Sequence, residues 1–252
     1  MRNIKRFCLL CLLAQLFFSA VSAFAQPIAE MRSASEKLSR YRADGDTESL
    51  KEALGHIDAM IGKLGSMMDP GLETLSAAAY AADTAYQATG DEKYLRFAEK
   101  LASSIKEKLN TGPVSSGPEG AVDMAVLMDL YHITGKRAYK EEVTKTVDGL
   151  MPDSPAAKAA SETAYVFIVV GRLGVPGTEE LIRKSFMFDD PSRVVVVLDP
   201  GRDRERLGQL GYEYPGKPCL FVCSENTCLS PVYAGEDLTR IKQSIEKLRE
   251  ME

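Results

Sequence analysis

Between Pro27 and about Phe186 the apolar positions recur at steps of three and four and are broken by Gly and Pro, a period that predicts helices. In 72–86 (LETLSAAAYAADTAY), Leu72, Leu75, Ala79, Ala82 and Tyr86 fall on one stripe. Gly90 then ends the helix, as the residue that takes positive φ without steric cost. Asp91 and Glu92 open the next helix, where acids favour the dipole, and Tyr94, Phe97, Leu101 and Ile105 continue its apolar face. The unit returns 45 residues later: 86–94 (YQATGDEKY) aligns with 131–139 (YHITGKRAY), each a helix, a Thr-Gly corner and a second helix.

An earlier pair is predicted over 28–41 and 47–64, joined at Asp44-Gly45-Asp46. A weaker third copy of the repeat is predicted over 156–186, passing through Gly171-Arg172-Leu173-Gly174. About four helical hairpins result. One hairpin alone cannot bury its apolar face, so neighbours must stack or curl around a common centre. The Gly/Pro/Ser-rich stretch 110–120 (NTGPVSSGPEG) joins the outer helix of one pair to the inner helix of the next, as plain linker or as the rim of a cleft.

From Pro191 onward the pattern changes. The run 193–198 (RVVVVL) predicts a buried strand, 217–223 (KPCLFVC) a second, and 228–233 a third, antiparallel one after the turn 224–227. The spacing between the first two leaves room for a short helix from Asp199 or Asp203 and for a parallel crossover. A last helix carries Leu238, Ile241, Ile245 and Leu248 on one stripe. The division expected is a helical-hairpin domain over 26–190 and an α/β cap over 191–252.

Residues 1–25 read as a signal peptide. Arg2, Lys5 and Arg6 precede an apolar run over 7–21 interrupted only by Gln15 and Ser19, and Ala23-Phe24-Ala25 offers a cleavage point before Gln26. The run is shorter than the ~20 residues of a spanning helix, so the mature chain is expected to be exported, periplasmic or extracellular, with no stable membrane span. The chain holds 31 Lys+Arg and 36 Asp+Glu. Past residue 25 these become 28 and 36, a net of −8 with no basic tract, which argues against a nucleic-acid partner.

The segment 216–232 (GKPCLFVCSENTCLSPV) resembles the C-terminal signature of the YyaL and spermatogenesis-associated type of thioredoxin-domain-containing proteins, with Phe221 where that pattern has Tyr. The valine-rich strand and the Thr-Gly hairpins are similar to the same family's C-terminal half, which belongs to the six-hairpin, glycosidase-like class. The resemblance implies a mainly α fold, an (α/α) helical-hairpin toroid fragment with a small C-terminal α/β cap. Residues 26–70 carry no thioredoxin-like redox motif. The resemblance therefore also suggests a separate thioredoxin-like protein as partner.

Three cysteines remain past residue 25: Cys219, Cys223 and Cys228. If strand and turn form a hairpin, Cys223 and Cys228 lie opposite each other within the ~5.5 Å Cα separation of a disulfide; reduced structural thiols and a redox or metal role are the alternatives. Zinc would need further ligands and the chain has two His, so no metal and no cofactor are expected. His132 is read as a cation complementing a helix C-terminus, and His56 as helix packing. Gly171-x-x-Gly174-x-x-Gly177, with no strand predicted before it, is not read as a nucleotide fingerprint.

Glycoside hydrolysis needs two carboxyls facing one cleft. The acids on the presumed inner helices are Glu73, Asp83, Glu119, Asp123, Asp129 and Glu162, with Tyr80 and Tyr165 as sugar-stacking platforms. Glu119 and Asp123, one turn apart beside the Gly-rich loop, form the best catalytic pair. The reading favoured is a non-catalytic binding module for a carbohydrate or protein partner. The alternatives are a carbohydrate-active enzyme using those two acids, and a thiol-redox-associated protein.

Overall fold

A computed structural model describes residues 29–64, 70–112, 115–161, 164–188, 193–212, 214–224 and 227–251. The expected signal peptide lies outside them. The chain is mainly helical, with a small mixed sheet toward its C-terminus. Its helices are α1 (29–44), α2 (Thr47–Leu64), α3 (Leu72–Thr89), α4 (Glu92–Thr111), α5 (Pro118–Thr134), α6 (Arg137–Val147), α7 (Pro155–Ser161), α8 (Pro176–Phe186), α9 (Arg204–Gln209) and α10 (Leu238–Met251). The strands are β1 (Tyr165–Val170), β2 (Arg193–Leu198), β3 (Cys219–Ser224), β4 (Thr227–Cys228) and β5 (Val232–Tyr233).

The twin corners adopt one local structure. Gly90 and Gly135 take φ of 70° and 73°, and their N–H groups donate to Tyr86 O and Tyr131 O. The preceding threonines bond alike: Thr89 donates to Ala85 O and accepts from Asp91 N, and Thr134 donates to Leu130 O and accepts from Lys136 N. The same four-residue sequence logic thus ends two helices by satisfying their last carbonyls.

Helix α3 sits at the centre because it is small on every side. Ala78, Ala79, Ala81, Ala82 and Ala85 are all fully buried, which lets α4, α5, α8 and β2 approach it closely. By contrast α4 buries a single stripe, Tyr94, Phe97, Leu101, Ile105 and Leu109, as expected of an outer helix. Gly45, at φ 76°, makes the joint between α1 and α2.

The sheet runs β2-β1-β3-β4, with β5 on the other end of β3. Strand β1 pairs parallel with β2 and antiparallel with β3. Two expectations are corrected here. The third helical copy predicted over 156–186 is absent, because 165–170 (YVFIVV) is a strand. The parallel crossover is β1-α8-β2, whereas β2 and β3 lie on opposite sides of β1 and do not pair. Alternation along the strands buries Ile168, Val170, Val194 and Val196 against the helical body. Phe167, Val169, Leu220 and Val222 face α8 and α10 through Leu181, Ile182, Ile241 and Ile245.

Strand β2 is the sheet edge nearest the helices, and α3 closes it. Val195 N donates to Gln87 Oε1 at 3.1 Å, and Val197 N donates to the Tyr86 hydroxyl at 3.2 Å. Side chains of a helix thereby occupy the bonding positions of a missing strand. The Arg206 guanidinium adds a second joint by donating to Ile133 O at the end of α5.

Candidate functional site

Helical spacing gathers polar groups at the junction of α3, α5 and β2. Tyr80, Asp83, Thr84 and Gln87 lie at i, i+3, i+4 and i+7 on α3, and Asp129 and His132 lie three apart on α5, so each set shares one face. Between them opens a cavity of about 200 Å³, with Arg42, Tyr80, Gln87, Asp129, His132 and Arg193 on its wall. Arg193, at the start of β2, is held in place by its Nε donating to Ser185 O at 3.1 Å and by the Phe186 ring 5.0 Å below its guanidinium.

Beneath the wall lies an acid pair. Asp83 is completely buried, with Asp129 near enough for its charge to act on it. Gln87 Nε2 donates to Asp83 Oδ2 at 2.7 Å and to Asp129 Oδ2 at 3.2 Å. Burial raises the Asp83 pKa well above the carboxylate range, and the adjacent Asp129 charge raises it further. Both effects favour the protonated form of Asp83. Tyr80 is likewise kept a phenol, first by burial and then by the two acids. Its side of the cavity is open, with 40% of the residue exposed.

The residues singled out in the sequence separate. Tyr80 lies on the cavity wall. Tyr165 does not: it is on β1, 6% exposed, and its side chain packs into the core beneath α10, so the expectation of a cleft aromatic there is corrected. Asp123 is 1% exposed and accepts from the Ser76 hydroxyl of α3, and burial lifts its pKa to about 6. Glu119 stands one turn earlier on α5, and its side chain lies outside the described residues, as does Glu162. Glu73 borders a separate, largely apolar cavity of about 210 Å³ on the far side of Tyr80. His132 is not the expected cation: burial and the Lys140 charge push its pKa down to about 4, so it is neutral at pH 7.

Cys223 and Cys228 are disulfide-bonded, with Cα atoms 4.1 Å apart across the β3–β4 register. Cys219 is a buried thiol. The Gly171-x-x-Gly174-x-x-Gly177 run does follow a strand, β1, contrary to expectation. Its glycines serve packing: a Cβ on Gly171 would stand 2.4 Å from Thr178 Oγ1, and one on Gly177 would press on Ala234 and Pro218. That packing covers the start of α8, where a phosphate would have to sit.

Sequence reasoning missed Gln87, Arg42 and Arg193. Asp83 and Gln87 did carry a signal, as polar interruptions four apart in an alanine-rich helix. The two arginines reach the cavity only through tertiary packing. Among the described residues no three His, Cys, Asp or Glu side chains gather as a metal site, and no helix is long and apolar enough to cross a membrane. Comparison with protein-family models, curated proteins and solved structures finds no match for the chain.

Proposed function

We propose that this chain is an exported binding module whose cavity between α3, α5 and β2 takes a carbohydrate ring without transforming it. The carrying observation is the half-exposed Tyr80 ring at the mouth of a small cavity floored by Asp129, Gln87 and Arg193. An aromatic face covers the apolar side of a sugar ring, while carboxylate and guanidinium groups bond its hydroxyls. At about 200 Å³ the space suits a single ring rather than a drug-sized ligand, which takes roughly 300–1,000 Å³.

The acid geometry supports binding over hydrolysis. Retaining glycosidases hold their carboxyls roughly 5–5.5 Å apart and inverting ones farther, so that sugar or water fits between. Asp83 and Asp129 instead share the Gln87 amide as donor, and Asp83 has no exposed surface. Asp123 is likewise committed to Ser76. The likeness of 216–232 to the YyaL type and the two Thr-Gly hairpins fit a segment of an (α/α) toroid, and the disulfide suits an oxidising compartment.

A glycan array followed by calorimetry on the chain from Gln26 onward tests the reading. Binding without product release is expected, with Tyr80→Ala and Asp129→Asn each abolishing the signal while the far-UV circular dichroism spectrum stays that of the wild type. Release of a cleaved glycan, or binding unchanged in both variants, would overturn it.

A further inference from the structure

The disulfide has a neighbour that a purely structural bridge does not need. The Tyr212 hydroxyl oxygen lies 3.1 Å from Cys223 Sγ and 3.0 Å from Cys228 Sγ. Its position is built from both ends. The Tyr212 ring packs on Phe221 with centroids 4.6 Å apart, and its backbone N–H donates to Leu207 O at 3.0 Å. The two sulfurs are unequal. Cys223 is 5% exposed inside the sheet, whereas Cys228 is exposed on β4, the two-residue strand at the end of the β2-β1-β3-β4 path.

We propose that the Cys223–Cys228 bond is a thiol–disulfide exchange site that oxidises a dithiol, with Cys228 as the attacked sulfur and Tyr212 positioning and stabilising the sulfur that leaves. This site is independent of the cavity described above. Exchange requires an accessible sulfur and a leaving thiolate that is stabilised as it forms; Cys228 supplies the first, and the Tyr212 hydroxyl beside buried Cys223 supplies the second. A thiolate of the partner attacks Cys228 Sγ from solvent and forms a mixed disulfide. The Sγ–Sγ bond breaks, and its electron pair departs on Cys223 Sγ. The Tyr212 O–H donates to that developing charge. The partner's second thiolate then attacks its own sulfur in the mixed disulfide and releases Cys228. The partner leaves as a disulfide, having lost two protons and two electrons. Cys223 and Cys228 end as thiols, having gained both.

Two further features fit this division of labour. Burial raises the Tyr212 pKa, so the group remains a donor wherever thiolates form. Cys219, on the same face of β3, is buried and its thiol is pushed up to about 11, which keeps it from competing. The start of α8, where a C-x-x-C would sit in a thioredoxin-like βαβ unit, holds Gly174-Val175-Pro176-Gly177 instead.

The test uses the chain from Gln26 onward in native buffer, in two separate arms. One takes dithiothreitol as the dithiol, and the other takes reduced glutathione alone, a monothiol whose attack on the disulfide leaves a mixed disulfide. Each is followed by alkylation and peptide mapping. Cys223 and Cys228 should open while Cys219 stays protected, and the glutathione adduct should map to Cys228. Tyr212→Phe keeps the ring on Phe221 but removes a hydrogen bond to a charged sulfur, which predicts about a tenfold slower opening. In a Cys228→Ser background, the same substitution should raise the Cys223 thiol pKa, read at 240 nm, by about one unit. The proposal is overturned if opening occurs only as Cys219 becomes reactive, if the adduct maps to Cys223, or if Tyr212→Phe opens at the wild-type rate. Should Tyr212→Phe fail to fold, the adduct position and Cys219 protection in the wild type decide.

Discussion

Gln87 on α3 accepts the backbone N–H of Val195 at 3.1 Å, so a helix side chain stands where the carbonyl of a neighbouring strand would otherwise bond. The amide end of the same side chain donates to Asp83 and Asp129. One residue therefore ties the sheet edge, the buried acid pair and the cavity wall into a single arrangement.

Replacing Gln87 by Leu preserves bulk but leaves the Val195 N–H without its acceptor and Asp83 Oδ2 without its donor inside the protein. Each such group costs about 1–3 kcal/mol, and the loss expected is about 2–4 kcal/mol. Urea unfolding should show a lower midpoint at unchanged slope. An unshifted midpoint would show that the edge of β2 does not depend on α3.

Asp83 makes the fold sensitive to alkali. Its pKa is raised on folding, so the folded chain holds the proton more tightly than the unfolded one. The stabilisation is complete below about pH 4, the unfolded value, and is lost as pH rises through the folded one. Asp83→Asn keeps a hydrogen-bonding group without charge. It should flatten that decline, matching the wild type near pH 3 and exceeding it at pH 8. A mutant whose stability falls with pH as steeply as the wild type would contradict a proton held on Asp83.

Asp123 and His132 act in opposite directions over a shared interval. The folded Asp123 pKa of about 6 lies above the ordinary 3.8, so its contribution fades as pH rises toward 6. The folded His132 pKa of about 4 lies below 6.5, so its contribution is full above 6.5 and fades as pH falls through 4. Each two-unit shift corresponds to about 3 kcal/mol, and between pH 4 and 6 the two slopes offset. With Asp83 also releasing stability as pH rises, Asp123→Asn should make the decline shallower across that interval, and His132→Gln should make it steeper. Parallel curves for the two variants, measured by thermal melts from pH 3.5 to 7, would refute the assignment.

Gly90 and Gly135 share one backbone conformation but not one environment. A Cβ on Gly90 would stand 2.9 Å from Val197 Cγ1 and 3.0 Å from Leu173 Cδ2, whereas a Cβ on Gly135 would meet open space. Gly135→Ala should cost only the left-handed backbone term of about 1–2 kcal/mol. Gly90→Ala should cost about 1–3 kcal/mol more, the usual range for overpacking. Chemical denaturation of the two variants compares them directly, and equal losses would mean that the α3–β2 contact gives way at no cost.

Much of the local structure was legible because its causes are local. The Thr-Gly corners, the Asp44-Gly45-Asp46 joint, the apolar stripe of α4 and the Cys223–Cys228 pairing each depend on residues a few positions apart. Strand β1 was not legible. A six-residue apolar run reads alike as strand or buried helix, and only pairing with β2 and β3 settles 165–170. The candidate site was legible in fragments. Tyr80, Asp83 and Asp129 were visible as polar or aromatic positions on inner helices, but their conjunction was not, and Asp123 proved to be tied to Ser76.

The amino-acid sequence by itself determined where helices stop, which faces are apolar and which cysteines can bond, since these follow from backbone sterics and side-chain period within a turn or two. Tertiary structure alone decided the strand order, the sealing of β2 by Tyr86 and Gln87, the entry of Arg42 and Arg193 into the cavity, and the proton on Asp83. Each of those depends on groups distant in the chain being brought together out of water, where an unpaired donor or charge becomes costly enough to select its partner.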